Sequence, residues 1–370
     1  MPSNDHKWLT ELTSLPTAAG REDAVIQWIE KWVKRRRTCR LKRDRFGNLL
    51  IERAVRGKRR AAGQPIFFTA HMDHPAFVVR EVIDDRHVAA DFRGGVREAY
   101  FVGSRVQWFG QDGNAEPVKG RVVGPHDAGG GSGGDKCWRI RLSRGVDAQP
   151  GDILTWDVGR SRIARGRLHA PACDDLAGLA AALAAFDQLS RRKTAGRVAV
   201  LLTRCEEVGF IGAIAACESG IIPKDARLIA LENSKSFAES PIGGGPIVRV
   251  GDRTSTFDPD LTYRVGHVAQ QLAAQNSTFR WQRKLMPGGT CEASAYQTFG
   301  YTATCVCLPL GNYHNMDEDN QCIAAETISI SDFDHLVTLL VGVGTSLDDE
   351  GVTLRERLDR LYASRKALLD

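Results

Sequence analysis

"GRVAVLLTRCEEVGFIGA" (residues 196–213) decides the fold. An apolar, β-branched run of strand length ends in two adjacent glutamates, and a glycine-spaced apolar stretch of helical character follows. No lysine or arginine follows closely enough to neutralise both acids. The same strand-to-helix alternation spreads outward from this stretch. A helix over 175–189 precedes it, and the strand and helix within it fall at 197–203 and 209–219. A strand over 226–231, a helix over 258–274, a strand over 302–308 and a helix over 325–343 come after. That order predicts an α/β fold with a largely parallel sheet flanked by helices.

Towards the N-terminus the pattern is helical from Asp5 to Val33, broken at "SLPTAAGRED" by Pro16 and Gly20. The run "PIFFTA" (residues 65–70) suits a strand buried on both faces. From 75 to 165 no helical period survives. Short β-like pieces alternate with turn residues, as in a compact all-β module of hairpins. Its glycine cluster "GGGSGGDK" (residues 129–136) lacks the GK[ST] ending of a phosphate loop and reads as a hairpin tip. The module is therefore expected as an insertion: 1–74 and 166–370 form one α/β domain, and 75–165 lies between them.

Composition narrows the functional class. The chain has 370 residues, 42% of them hydrophobic, and a net charge of +5, modest for a nucleic-acid or membrane binder. The basic run from Lys31 to Arg43 follows an amphipathic helix, where its cations complement the helix dipole. The polar start lacks the apolar core of a signal peptide, and no uncharged apolar stretch reaches spanning length. Nine cysteines with no CxxC pair read as reduced thiols. The expectation is a cytoplasmic enzyme with no nucleic-acid or membrane partner.

Functional groups in open α/β sheets gather at the carboxyl ends of strands. "IFFTA" runs into His71-Met72-Asp73, "RVAVLLTRC" into Glu206-Glu207, "ARLIAL" into Glu232, and "ATCVCLPLGNY" into His314; Asp174 in "PACDDLAG" just precedes a helix. Each residue alone has an ordinary explanation; Asp174 or Asp175 could simply cap its helix. Together they place several carboxylates at a buried edge, where repulsion and lost solvation call for a cation. His and carboxylate donors without thiolates suit zinc, or another divalent metal such as cobalt or manganese. Five such ligands, one of them a bridging carboxylate, would hold two ions about 3.5 Å apart. Asp73, two residues beyond His71, faces the same way and can accept the ring N–H that the imidazole does not use for metal. Neighbouring residues at a strand end diverge, so one glutamate can bind metal while the other stays free. We read Glu207 as ligand and Glu206 as the general base that takes a proton from the attacking water; spacing alone leaves the two interchangeable.

The motifs "TAHMD", "ACDDLAG", "CEEVGFIGA", "GGGPIV", "GGTCEA" and "LPLGNYHN" resemble, in order, those of the self-compartmentalising tetrahedral aminopeptidases, which include glutamyl and deblocking enzymes. The resemblance covers nearly the whole chain. It implies a β-rich dimerisation domain inserted after the first His-x-Asp and a homo-oligomer in which dimers build a dodecamer. It implies His71 and Glu232 on one divalent ion, Glu207 and His314 on the other, and Asp174 between them, with Glu206 as base and short peptides as substrates. Related deacylases and carboxypeptidases share the ligand order but carry their extra domain late, before the last histidine. A deacylase or carboxypeptidase-type amidohydrolase, and a homologue that has lost catalysis, are the competing readings. Four positions depart from the family pattern: His74-Pro75 replaces a Glu-Ile-Gly run, Leu176 an Arg, Glu232 the usual Asp, and Cys291-Glu292 the Asp of "GGTDA".

Overall fold

The computed structural model describes residues 4–54, 63–110, 116–126, 136–192, 197–349 and 353–369. Its centre is an eight-stranded sheet in the order Cys39–Arg43, Leu49–Arg53, Val198–Thr203, Ile66–His71, Arg227–Lys235, Thr302–Leu310, Ile247–Gly251, Gln282–Leu285. Only the four middle strands form a continuous parallel block. Both flanks turn antiparallel, so the sheet is mixed rather than largely parallel. The reason lies in the connections. Residues 44–48 are too few for a crossover, and the link from Lys235 to Ile247 contains no helix, so in both places the chain returns antiparallel.

Strand side chains alternate between two apolar layers, as a period of two requires. Phe68, Ala70, Val200, Leu202, Ile229 and Leu231 face one layer; Phe67, Leu201, Leu228 and Ala230 face the other. Helices Asp23–Lys34, Leu176–Ser190, Pro259–Gln275 and Ile330–Ser346 cover the first layer, and Ile211–Ser219 and Glu292–Thr298 cover the second. Leu176–Ser190 is buried on nearly every side, which explains an alanine-rich sequence without an amphipathic stripe. No helix among the described residues is long and apolar enough to cross a membrane.

Two of the expected boundaries shift furthest. The strand expected over 226–231 continues to Lys235, so Glu232 sits within it. The helix expected from 325 begins at Ile330, because Glu326–Ser329 instead pairs as a strand with Arg167–Ala170.

Six strands, Ala76–Val82, His87–Arg93, Arg105–Phe109, Val118–Pro125, Cys137–Leu142 and Ile153–Trp156, close into a barrel. The hairpins expected here therefore leave no free edge. Phe77, Phe92, Phe101, Trp138 and Trp156 fill the interior; Phe101 stacks on Trp138 with ring centres 4.2 Å apart. The glycine-rich tip lies outside the described residues apart from Lys136.

Beyond Val198–Thr203 the chain must reverse at once to enter helix Ile211–Ser219. Gly209 supplies a φ of +112° for this turn. A Cβ on Gly212 would stand 2.2 Å from the Arg204 carbonyl oxygen, so the helix can rest on the turn only without a side chain there. Gly212→Ala should destabilise the fold by about 3 kcal/mol or more, since backbone rather than a movable side chain must yield. Denaturant unfolding monitored by circular dichroism measures this, with an unshifted midpoint as the contrary result.

Candidate metal centre

The four parallel strands bring their carboxyl ends to one edge, with His71 level with Thr203 and Glu232 level with Cys307. All five expected ligands converge there. His71 ends its strand and is 1% exposed. His314 lies past the end of Thr302–Leu310 in the turn Tyr313–Asn315. His71 Nε2 stands 3.6 Å from Asp174 Oδ1 and 3.8 Å from Glu232 Oε2. On the other side, His314 Nε2 stands 3.6 Å from Asp174 Oδ2 and 3.5 Å from Glu207 Oε2. Asp174 therefore turns one oxygen towards each imidazole. Glu206 Oε2 is 3.9 Å from His71 Nε2.

These separations exceed a hydrogen bond, which falls at roughly 2.7–3.2 Å. They match two donors on one ion: ligands about 2.1 Å from a tetrahedral metal lie about 3.4 Å apart. Three groups of three meet this description, His71-Asp174-Glu232, Asp174-Glu207-His314 and His71-Glu206-Glu207, with Asp174 common to the first two. Glu207 Oε1 and Glu232 Oε1 are buried without a hydrogen-bond partner. The donors present thus fit a pair of divalent cations.

The surrounding groups aim them. His71 donates through Nδ1 to the backbone carbonyl of Asp73 at 3.1 Å, which leaves Nε2 for a metal. The expected acceptor was the Asp73 carboxylate, but its Oδ1 stands 3.6 Å away. That carboxylate is occupied elsewhere, accepting the backbone N–H of Glu206 at 2.9 Å and of Glu207 at 3.1 Å. Asp73 thereby steers both glutamates. Asp175 holds the N-cap position of its helix but makes no side-chain cap bond, because its carboxylate accepts from Asn233 instead.

Glu326 is a support that sequence reading missed. Its buried carboxylate accepts the backbone N–H of Cys173, Asp174 and His314 at 2.6, 3.1 and 2.8 Å, tying two ligand-bearing segments together. No motif marks it; only the pairing of Glu326–Ser329 with Arg167–Ala170 brings it there. His74, one of the departures, is buried and donates to the Asp174 carbonyl at 2.6 Å. Burial, then the neighbouring His314, pushes it down to about 4, so it is neutral near neutrality.

Electrostatically the edge is short of positive charge. Burial, then nearby carboxylates, holds Glu206, Glu207 and Glu232 well above the ordinary range. Burial alone would lower His71, yet Glu206, Asp174, Asp73 and Glu232 keep it well above an ordinary histidine. Asp174 goes the other way: the facing imidazoles of His314 and His71 overcome its burial and lower it. Glu292, another departure, is buried nearby and raised to about 7, chiefly by burial.

A mixed α/β sheet with helices on both faces and a His-carboxylate cluster at its strand ends is an arrangement that could serve a metal-dependent hydrolase. The family model for M42 glutamyl aminopeptidases matches residues 142–339, more than half of the chain, and the chain belongs to that family. It is a hydrolase that acts as an aminopeptidase. A putative aminopeptidase of Acetivibrio thermocellus is 25% identical over 350 residues, covering 90% of this chain and 96% of its own. Among solved structures, the TET1 peptidase of Pyrococcus horikoshii aligns with a TM-score of 0.73 at 19% identity, over 92% of this chain and 99% of its own. The TET aminopeptidase of a marine-sediment thaumarchaeon aligns with a TM-score of 0.75 at 18% identity, over 95% and 99%. At such identities the structural likeness speaks for the fold.

The raised glutamates and His71 carry a pH signature. Without metal, a folded pKa above the unfolded one contributes stability that is complete below the unfolded glutamate value, about 4.3, and is lost as pH rises through the folded value. Chelator-treated protein should therefore lose thermal stability as pH is raised from about 5 to 8, and added zinc should abolish the decline. Melting curves in both conditions measure it; a metal-free form that gains stability over this range would contradict the expectation.

Proposed function

We propose that the chain removes N-terminal residues from short peptides by metal-assisted hydrolysis, with His71 and Glu232 on one divalent ion, Glu207 and His314 on the other, and Asp174 between them. The observation that carries this reading is the two-sided placement of Asp174, one oxygen 3.6 Å from each histidine. When bound, such a pair acidifies the attacking water and polarises the scissile carbonyl. Glu206 takes the proton of that water and returns it to the leaving amine. Its position supports this role: it stands 3.9 Å from His71 Nε2, is grouped with His71 and Glu207 but not with the bridging Asp174, and has its backbone held by Asp73. Zinc is the proposed ion, with cobalt or manganese accepted by the same donors. We further propose a homo-oligomer assembled from dimers through the inserted barrel, encompassed by 75–165. The TET1 peptidase of Pyrococcus horikoshii, which can assemble into a tetrahedron or a large octahedral shell, supports it.

The substrate's first residue meets a cavity of about 420 Å³ beside Glu232, walled by Phe237, Met286 and Tyr313, with Arg249 among its lining residues. Arg249 is 3% exposed and donates to Ser234 Oγ at 3.3 Å; its Nε has no partner. Among the described residues no carboxylate lies within ion-pair distance of it. A buried guanidinium without a counter-ion is costly, and a substrate carboxylate would complete it. An acidic N-terminal residue is therefore the proposed preference, in keeping with a family of glutamyl aminopeptidases.

A panel of aminoacyl chromogenic substrates set against N-acyl amino acids tests the reaction class. Cleavage of N-acyl amino acids alone would overturn the proposal. Glu206→Gln should lower kcat by about 10²- to 10⁴-fold with metal content unchanged. Arg249→Met should cut kcat/KM for glutamyl relative to alanyl substrates by about 10²-fold, as expected when a carboxylate loses a buried charged partner. Equal losses for both substrates would remove Arg249 from specificity.

A further inference from the structure

We infer that the inserted barrel is a working part of the metal centre: its loop over 94–97 positions His314. The inference rests on the reading of His314 as a metal ligand. His314 lies past the last residue of its strand with φ of 53°, so the sheet ladder does not hold it. Glu326 secures its backbone N–H, but the hydrogen bond that orients its ring comes from the barrel. Nδ1 donates to the Gly95 carbonyl at 2.7 Å, and this directs Nε2 at Asp174 and Glu207. A Cβ on Gly95 would lie 3.6 Å from Nδ1, so the loop rides against the imidazole.

The chain beyond His314 is tied to the same loop. The Arg97 backbone N–H points to Met316 Sδ at 3.5 Å, and the Arg97 guanidinium pairs with Glu318. Ile323, from the short hairpin that follows, packs against the barrel core. His71 differs, since its spare nitrogen bonds to a carbonyl two residues along its own segment. One histidine thus takes its ring hydrogen bond from within the α/β body, the other from the barrel, while Tyr313 stacks on the second ring at 3.8 Å.

Gly94 offers the lever. It has φ of +121°, and a Cβ there would stand 2.7 Å from the Pro75 Cβ, so in Gly94→Ala the loop and Pro75 must move apart. Gly103, also in the barrel segment, has φ of +86° and nothing within 4 Å of its Cβ position, so Gly103→Ala imposes similar backbone strain away from the site. Zinc binding to the full-length protein is measured by competition with a chromogenic chelator, with folding checked by circular dichroism. Gly94→Ala should weaken the zinc that His314→Ala loses by about tenfold or more and leave the other unchanged, as removal of an outer partner of a metal-bound histidine does. Gly103→Ala should match the wild type, and Gly94→Ala placed on His314→Ala should add nothing. Zinc affinities in Gly94→Ala within about twofold of those in Gly103→Ala, or losses that add to those of His314→Ala, would overturn the inference. Should Gly94→Ala not fold, the double variant Arg97→Ala/Ile323→Ala loosens the same segment without straining the barrel backbone and is read in the same way. A wild-type protein that binds no zinc, or a His314→Ala variant that binds it normally, would overturn the metal reading and this inference with it.

Discussion

Buried carboxylates placed against one another govern this structure. Glu206, Glu207, Glu232 and Asp174 share a strand-end edge almost closed to water, where ionised acids are expensive to hold. Two imidazoles offset part of that cost, and both turn their Nε2 atoms inward because their Nδ1 atoms donate to backbone carbonyls. The arrangement is one that a cation completes. Much of the surrounding hydrogen bonding keeps the acids from relaxing apart.

That restraint falls to carboxylates at one remove from the centre. Asp73 accepts the N–H groups of both Glu206 and Glu207, and Glu326 those of Asp174 and His314. Each spends both oxygens on backbone donors, so each fixes a segment rather than a single side chain. Asp73 thereby settles how two adjacent glutamates divide. One reaches the group that includes His314, and the other stays beside His71. The fold contributes further through the glycine contact at Gly212, which sets the helix directly on the turn that carries both.

Much of this was legible in the chain. Strand ends are readable because an apolar run must stop where burial stops, and His71, Glu206-Glu207 and His314 each stand just past such a run. The sheet's antiparallel flanks were harder to see, since a strand's apolar pattern is the same whichever way its neighbour runs. Glu326 and Gly95 left no signal at all. Glu326 serves through a pairing with a strand about 160 positions away, and Gly95 through its carbonyl, which every residue possesses.

By itself, then, the order of residues determined which side chains could bind cations, that they would meet at one edge, and that a β module interrupts the α/β body. It could do so because burial, periodicity and residue chemistry are local properties. Only the tertiary structure decided that Asp174 turns an oxygen to each histidine, that the His71 ring donates to a carbonyl instead of the Asp73 carboxylate, and that the barrel orients His314. Those outcomes depend on distances and directions between segments far apart in the chain, which hydrogen-bond geometry resolves and composition does not.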